Sequence, residues 1–296
     1  MVIVFGSINL DLIFSLPKIP AAGETVLGPS ARVEPGGKGA NQAVAAARDG
    51  AGVLMAGAVG GDALGAGAMA LLHDAGVDLD RVVRVDSSTG CAAIAVDPAG
   101  NNAISVGSGA NLLARAAQVE DAVLGSGTTL VLQMELAAEE TAALIGRARA
   151  LGTRIVLNLA PAAALPEAAL RAVDVLVANG TEAAWLAAHL GCAASAEALA
   201  GRLCGVAVVL TLGEAGAEIA GPDEAWHEPA VPVEAIDTTA AGDCFVGVMA
   251  HRLDRGESLR DAVRRASGAA ALCCTRPGSQ GSIPLQTETD AFIGLE

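Results

Sequence analysis

The sequence predicts an α/β protein: a mainly parallel sheet covered by helices on both faces, with a small accessory β-sheet. Three observations predict it. Apolar β-type runs alternate with Ala-rich helical stretches along most of the chain. A composition of 52% hydrophobic and 17% charged residues gives a chain that buries a large core. Two segments rich in turn formers interrupt the alternation. The 296 residues fit either about two domains or one large α/β domain with an insertion.

In order, Val2–Phe5 reads as a strand, Gly39–Asp49 as a helix, Val53–Ala58 as a strand and Leu64–Ala75 as a helix. The rhythm resumes after residue 110. Leu130–Met134, Arg154–Leu159, Val175–Ala178 and Ala207–Leu212 are strands, separated by helices at Glu139–Leu151, Glu167–Ala172 and Thr181–Leu190. A further helix opens at Asp243 and ends near Arg255. Ligands of such sheets bind at the carboxyl ends of the strands. The interrupting segments are Asp11–Val33, with Pro17, Pro20 and Pro29, and Gly90–Val106, where Cys91–Val96 and Ala103–Val106 flank the turn Asp97-Pro98-Ala99-Gly100-Asn101. They read as hairpin strands forming a lid over the strand ends. The expected organisation is a catalytic domain of residues 1–10, 34–89 and 107–296, and a lid of 11–33 and 90–106.

With 18 Lys and Arg against 33 Asp and Glu the net charge is −15, and only 6 aromatic residues are present, so nucleic acid and anionic membrane surfaces are poor partners. The longest uncharged stretch, Pro98–Ala114, carries Pro98 and three Asn and does not suit a membrane span, and the start of the chain lacks a basic targeting region. The six Cys form no Cys-x-x-Cys and read as reduced, mostly buried thiols of a cytoplasmic protein. The four His lack metal-ligand spacing and read as surface residues, and Trp185 reads as core.

Asp237-Thr-Thr-Ala-Ala-Gly-Asp243 is the sharpest local signal. Small residues leave the amides of a helix N-terminus uncovered, and those amides with the helix dipole can hold an anion, such as the charge on a transferring phosphoryl group. Asp243 then either accepts a proton from an attacking hydroxyl or is simply an acidic first-turn residue. Glu34-Pro-Gly-Gly-Lys-Gly-Ala-Asn-Gln-Ala43 is a second Gly-rich loop entering a helix, with one of only two lysines in the chain. It is not a Walker loop; Lys38 suits a substrate hydroxyl or phosphate, or is a solvated loop residue. Asn9 and Asp11 lie two residues apart past the first strand, a pairing suited to vicinal sugar hydroxyls. Glu135, Asn158, Asn179-Gly-Thr-Glu182 and Thr211-Leu-Gly-Glu-Ala-Gly216 follow later strands, and Asn179 with Glu182 has the spacing of a capping box. Gly65-x-Gly67-x-x-Ala70 matches a dinucleotide fingerprint only superficially, because it falls at or in a helix pattern.

Four motifs in this order, Gly6-Ser-Ile-Asn-Leu-Asp11, Gly36-Gly-Lys-Gly-Ala-Asn-Gln-Ala43, Asn179-Gly-Thr-Glu182 and Asp237-Thr-Thr-Ala-Ala-Gly-Asp243, resemble those of the ribokinase-like (PfkB) carbohydrate kinases. The resemblance implies a Rossmann-like core with a β lid, paired with a second subunit's lid in a homodimer. It implies ATP-dependent phosphorylation of D-ribose at O5; the alternatives are another sugar or a nucleoside as acceptor, or a sugar-binding regulator without turnover. Asp243 would be the base, and the amides of Ala240, Ala241, Gly242 and Asp243 the anion hole. Asn9, Asp11, Gly37, Lys38, Asn41 and Glu135 would hold the sugar, and Asn179, Thr211, Gly213, Gly216, Gly242 and Ser267 the nucleotide. Glu182 would organise Mg²⁺ through water. Asp237 and Thr239, with Cys273, Arg276, Gly278 and Ser282 of the segment Cys273–Ser282, would surround K⁺.

Overall fold

The computed structural model describes residues 1–99 and 101–294; Gly100 of the predicted turn lies outside them. The chain begins with β1 (Val2–Phe5), β2 (Asn9–Ser15), β3 (Ser30–Gly36), α1 (Lys38–Arg48), β4 (Val53–Gly60), α2 (Ala63–Ala68), α3 (Ala70–Asp74), β5 (Asp78–Val85), β6 (Gly90–Val96) and β7 (Asn102–Gly107). Three short 3₁₀ turns lead into β8 (Thr129–Leu132), α4 (Ala138–Ala150), β9 (Arg154–Asn158), α5 (Glu167–Leu170), β10 (Val175–Asn179), α6 (Gly180–Leu190), α7 (Ala196–Leu203) and β11 (Ala207–Thr211). The chain closes with β12 (Ala217–Ala220), β13 (Ala225–Glu228), α8 (Ala241–Asp254), α9 (Leu259–Cys274) and α10 (Gln286–Ile293).

The large sheet has the order β13-β12-β11-β10-β9-β8-β1-β4-β5, and its seven strands from β11 to β5 run parallel while β12 pairs antiparallel with both β11 and β13. From β1 the chain fills one side with β4 and β5, then crosses to β8 and proceeds outward on the other. The strand order therefore switches beside β1, which is where open α/β sheets place their ligand crevice. Alternate residues of each strand feed two cores. Val2, Val4, Val131 and Val156 pack with Val44, Phe245, Met249 and Val263 of α1, α8 and α9 on one face. Ile3, Phe5, Leu130 and Leu157 pack with Leu144, Leu186 and Leu199 of α4, α6 and α7 on the other. The second sheet, β3-β2-β6-β7, joins two antiparallel pairs through parallel β2 and β6.

Several elements depart from the sequence reading. The single helix expected at Leu64–Ala75 divides at Met69 into α2 and α3, in a stretch where Gly65 and Gly67 lower helix propensity. β5 is an additional edge strand whose charged Asp-Leu-Asp-Arg pattern hides its pairing with β4. Of the cysteines, only Cys244 and Cys273 are buried, whereas Cys91, Cys192 and Cys274 are half-buried and Cys204 is exposed. Trp185, in keeping with its core reading, packs half-buried against the second core while stacking on His189.

His251 is not a surface residue: it is 4% exposed and contacts Asp49 through Nδ1 at 2.9 Å. Asp49, at the end of α1, also accepts from Arg252 Nε and Nη2 at 2.7 and 2.8 Å and from Arg265 Nε at 2.9 Å. Burial pushes the Asp49 carboxyl up, but these donors more than offset it and hold it below the ordinary Asp value. Arg265 reaches on to Asp290 of α10. One buried carboxylate thus ties α1 to α8 and α9, and through Arg265 to α10. Removing it with Asp49→Ala leaves two guanidiniums without their buried partner, and urea denaturation should show a loss of about 3–5 kcal/mol.

Candidate active site

The Gly-rich loop at the end of β3 turns into α1 directly beneath the end of β1. Gly37 has φ 89°, a left-handed conformation suited to glycine. At Gly39 a Cβ would lie 2.5 Å from Gly6 C and Ser7 N, so only glycine lets the first turn of α1 rest on the β1 exit. Ser7 Oγ donates to Glu135 Oε2 at 2.5 Å and accepts from Gly39 N at 3.2 Å, and Lys38 N donates to the same Glu135 oxygen at 3.0 Å. Glu135, just past β8, therefore braces the loop across the switch point.

Asp243 sits in the first turn of α8, 6% exposed. Asn41 Nδ2 donates to its Oδ2 at 2.8 Å and Gln42 Nε2 to its Oδ1 at 2.9 Å. Lys38 is half-buried at the start of α1; the charge of Asp243 raises its pKa first, burial opposes this, and Glu135 and Glu182 add to it, so the ammonium is held charged. Asn9 Oδ1 accepts from Asn111 Nδ2 at 2.7 Å, while Asn111 Oδ1 takes the Ile8 amide at 3.0 Å. Burial raises the Asp11 carboxyl to about 7, with Glu135, Glu34 and Asp243 adding to the effect. Asp11 Oδ1 and Asn41 Oδ1 are buried without a hydrogen-bond partner among the described residues. Orphaned acceptors in one crevice call for a ligand rich in O–H donors.

Ala240 precedes α8 with φ 59° and ψ 4°, a left-handed conformation in a non-glycine residue. Ala241 N donates to Thr238 O at 3.3 Å, which corrects the expectation that all four leading amides are free. The amides of Ala240, Gly242 and Asp243 have no acceptor among the described residues. The turn is fixed by Asp237, whose Oδ1 accepts from Thr239 N at 2.9 Å and whose Oδ2 accepts from Gly278 N at 3.0 Å. Burial pushes Asp237 up, but these bonds outweigh it and leave its pKa lowered. Cys273 Sγ lies 3.0 Å from Ser282 Oγ and 4.0 Å from Thr239 O. Arg276 belongs to the segment only by its backbone, because its side chain pairs with Glu288 at 2.8 Å. Ser279 and Gln280 dock on β3 through Glu34, Pro35 O and Gly36 O, joining this segment to the four-stranded sheet.

Asn179 and Thr211 are register partners at the carboxyl ends of β10 and β11. Asn179 Oδ1 accepts from Glu182 N at 2.9 Å and Glu182 Oε2 from Asn179 N at 2.8 Å, so the capping box is present and Glu182 is buried in it. Burial raises the Glu182 carboxyl, and the Asn179 amide offsets this only in part. Gly213 and Gly216 turn the chain from β11 into β12 with φ 61° and 88°. Gly65 and Gly67 lie inside α2, away from any nucleotide loop geometry. Ser267 is half-buried in the middle of α9 and makes no side-chain hydrogen bond to the other candidates among the described residues. Ser7, Gln42, Asn111 and Gln133 also belong to the site, beyond the residues expected from the sequence. Ser7 and Gln42 lay within recognised motifs, whereas Asn111 and Gln133 carry no local signal.

Residues 1–286 match the pfkB family carbohydrate kinases, and the chain belongs to that family. It is 36% identical over 302 residues to the ribokinase of Haemophilus influenzae, covering 98% of this chain and 97% of that protein. The solved ribokinase of Thermotoga maritima superposes with a TM-score of 0.91 at 31% identity over 99% of each chain. That of Arabidopsis thaliana, complexed with ribose and ATP, gives 0.87 at 26% identity, over 100% of this chain and 99% of that one. Because Gly39 sets the seat of α1, Gly39→Ala should lower turnover about 100-fold through misplacement of Lys38 and Asn41. Its stability loss should be only about 1–3 kcal/mol; steady-state rates beside thermal melting check both.

Proposed function

We propose that the chain transfers the γ-phosphoryl group of ATP to O5 of D-ribose, giving ribose 5-phosphate. The observation that carries this is the placement of one buried carboxylate, Asp243, among three free amides at a helix N-terminus and beside orphaned acceptors suited to sugar hydroxyls. Full-length similarity to ribokinases supports the choice of acceptor. Asn9, Asp11, Gly37, Lys38, Asn41 and Glu135 border the sugar. Its O5 proton passes to Asp243 as the new O–P bond forms and ADP leaves. The amides of Ala240, Gly242 and Asp243 receive the charge on the phosphoryl oxygens. Asn179, Thr211, Gly213 and Gly216 border the nucleotide. Ser267 is kept there only through family likeness. The intact base argues against a regulator without turnover, and the scarcity of aromatics against a nucleoside.

No group of three or more His, Cys, Asp or Glu among the described residues has metal-holding geometry. A Mg²⁺ ion held mainly by nucleotide phosphates, with Glu182 acting through water, fits that donor set. It would neutralise phosphate charge. K⁺ fits the oxygen-rich turn of Asp237 and Thr239 with the backbone of Cys273, Arg276 and Gly278 and the Ser282 hydroxyl, where it would stiffen the approach to Ala240. The four-stranded sheet, with exposed Phe14, Val33, Ile104 and Val106, is read as a lid that pairs with a second copy in a homodimer. A cytoplasmic location accords with an ATP-using kinase and with six free thiols.

ADP release measured across ribose, 2-deoxyribose, fructose and adenosine should be fastest with ribose. Asp243→Asn should bind ribose calorimetrically yet lose more than about tenfold in kcat. Turnover with no sugar, or an Asp243→Asn enzyme as fast as the wild type, overturns the reading. A second outcome follows from Asp11. Its raised pKa leaves it protonated below about 7, where it loses acceptor capacity, so ribose binding releases a proton. The ribose KM should rise as pH falls, by up to about tenfold per unit, with kcat far less affected. Asp11→Asn should flatten that dependence.

A further inference from the structure

Asp243 is held by more than the residues that border the sugar. Gln42 Nε2 donates to Asp243 Oδ1 at 2.9 Å, and Gln133 Nε2 donates to Gln42 Oε1 at 2.6 Å. Gln42 is 0% exposed and Gln133 1%, and Gln133 Oε1 has no partner among the described residues. An ionised carboxylate only accepts, so the Gln42 amide must turn its NH₂ toward Asp243 and its carbonyl away. That carbonyl then requires a donor, and Gln133 supplies it. Reversing either amide would set two acceptor oxygens against each other at 2.6–2.9 Å in a dry site.

We propose that Gln133 and Gln42 form a directional amide relay that reserves Oδ1 of Asp243 as a permanent acceptor, leaving Oδ2, beside Asn41, as the oxygen that takes the substrate proton. Gln42 and Gln133 are positioning residues: neither borders the sugar or the nucleotide, and Gln133 acts only through Gln42. The relay begins at Gln133, just past the end of β8, and enters α1 at Gln42, so the backbone at the switch point and the base are oriented together. This inference rests on Asp243 as the base and adds what fixes its reactive oxygen. The other ionisable groups whose charges are felt around Asp243 are Lys38 of α1, Asp11 of β2, Glu182 of α6, and the thiols of Cys244 in α8 and Cys273 in α9. All of them are retained in the variants below.

The test follows the rate of the first turnover against pH in the full chain with ATP, Mg²⁺, K⁺ and saturating ribose. Gln42→Glu sets a second carboxylate against Oδ1 and should move the acid limb upward by about one unit or more. Gln133→Met keeps the volume but removes the donor, and should slow the first turnover about tenfold at neutral pH with the half-saturating ribose concentration within about twofold of wild type. Thermal melting accompanies each, and Gln133→Met carries the test if Gln42→Glu does not fold. Profiles of both variants superimposing on the wild type overturn the relay, as does a Gln133→Met variant with unaltered rate. Asp243→Asn run in parallel separates the two levels. Turnover retained there removes the base itself, whereas turnover lost there with both Gln variants normal removes only the relay.

Discussion

The structure depends on the parallel contact between α1 and α8, which is fastened at both ends. At the start, Asn41 and Gln42 hold Asp243; at the finish, Asp49 holds His251 and Arg252. The paired residues keep nearly one offset along the two helices, 202 positions for Asn41 with Asp243 and 202 for Asp49 with His251, so the helices run side by side in register. Gly247 permits this closeness, since a Cβ there would lie 2.4 Å from Gln42 O. Parallel packing brings both N-termini to the crevice beside β1, where their partial positive charge favours anions. The opposite ends gather partial negative charge next to the buried Asp49, and Arg252 and Arg265 compensate there.

This arrangement divides the electrostatic work. The site end holds Asp11, Glu135, Glu182 and Asp243 around one lysine, with Lys38 kept charged chiefly by Asp243. Its carboxylates can accept further hydrogen bonds: Asp11 is raised by burial and lacks a partner at Oδ1, while Asp243 accepts one amide at each oxygen and keeps a second lone pair on Oδ2 for the substrate hydroxyl. At the far end the buried Asp49 carboxylate accepts from Arg252 and Arg265 and contacts His251. The turn at Ala240 joins the two roles, since its left-handed conformation is imposed by Asp237 and the Gly278 amide rather than by its own preference.

Much of this was legible in the sequence because the relevant information is local. The alternation of apolar runs gave the parallel sheet, and Asn179 with Glu182 gave the capping box three residues apart. The motif glycines marked the loop that seats α1. What the sequence concealed is pairing across distance. Asp49 and His251 look like unremarkable helix-end residues until the fold brings them together, and Gln133 is an ordinary polar residue after a strand until Gln42 turns toward it. β5 was hidden for a related reason, because an edge strand bearing Asp and Arg lacks the apolar run of its buried neighbours. The order of β1 between β4 and β8, which locates the crevice, is likewise a property of the assembled sheet.

In the proposed reaction one oxygen of Asp243 meets the sugar hydroxyl that is phosphorylated, while the other stays tied to Gln42. A crystal structure of the chain with ribose and a non-hydrolysable ATP analogue tests it most directly. The expected complex has O5 of ribose about 2.6–3.2 Å from Asp243 Oδ2, the terminal phosphate against the amides of Ala240, Gly242 and Asp243, and the Gln42 bond to Oδ1 intact. Ribose seated with a different hydroxyl toward Asp243, or with none, while the terminal phosphate lies away from the start of α8, would contradict it.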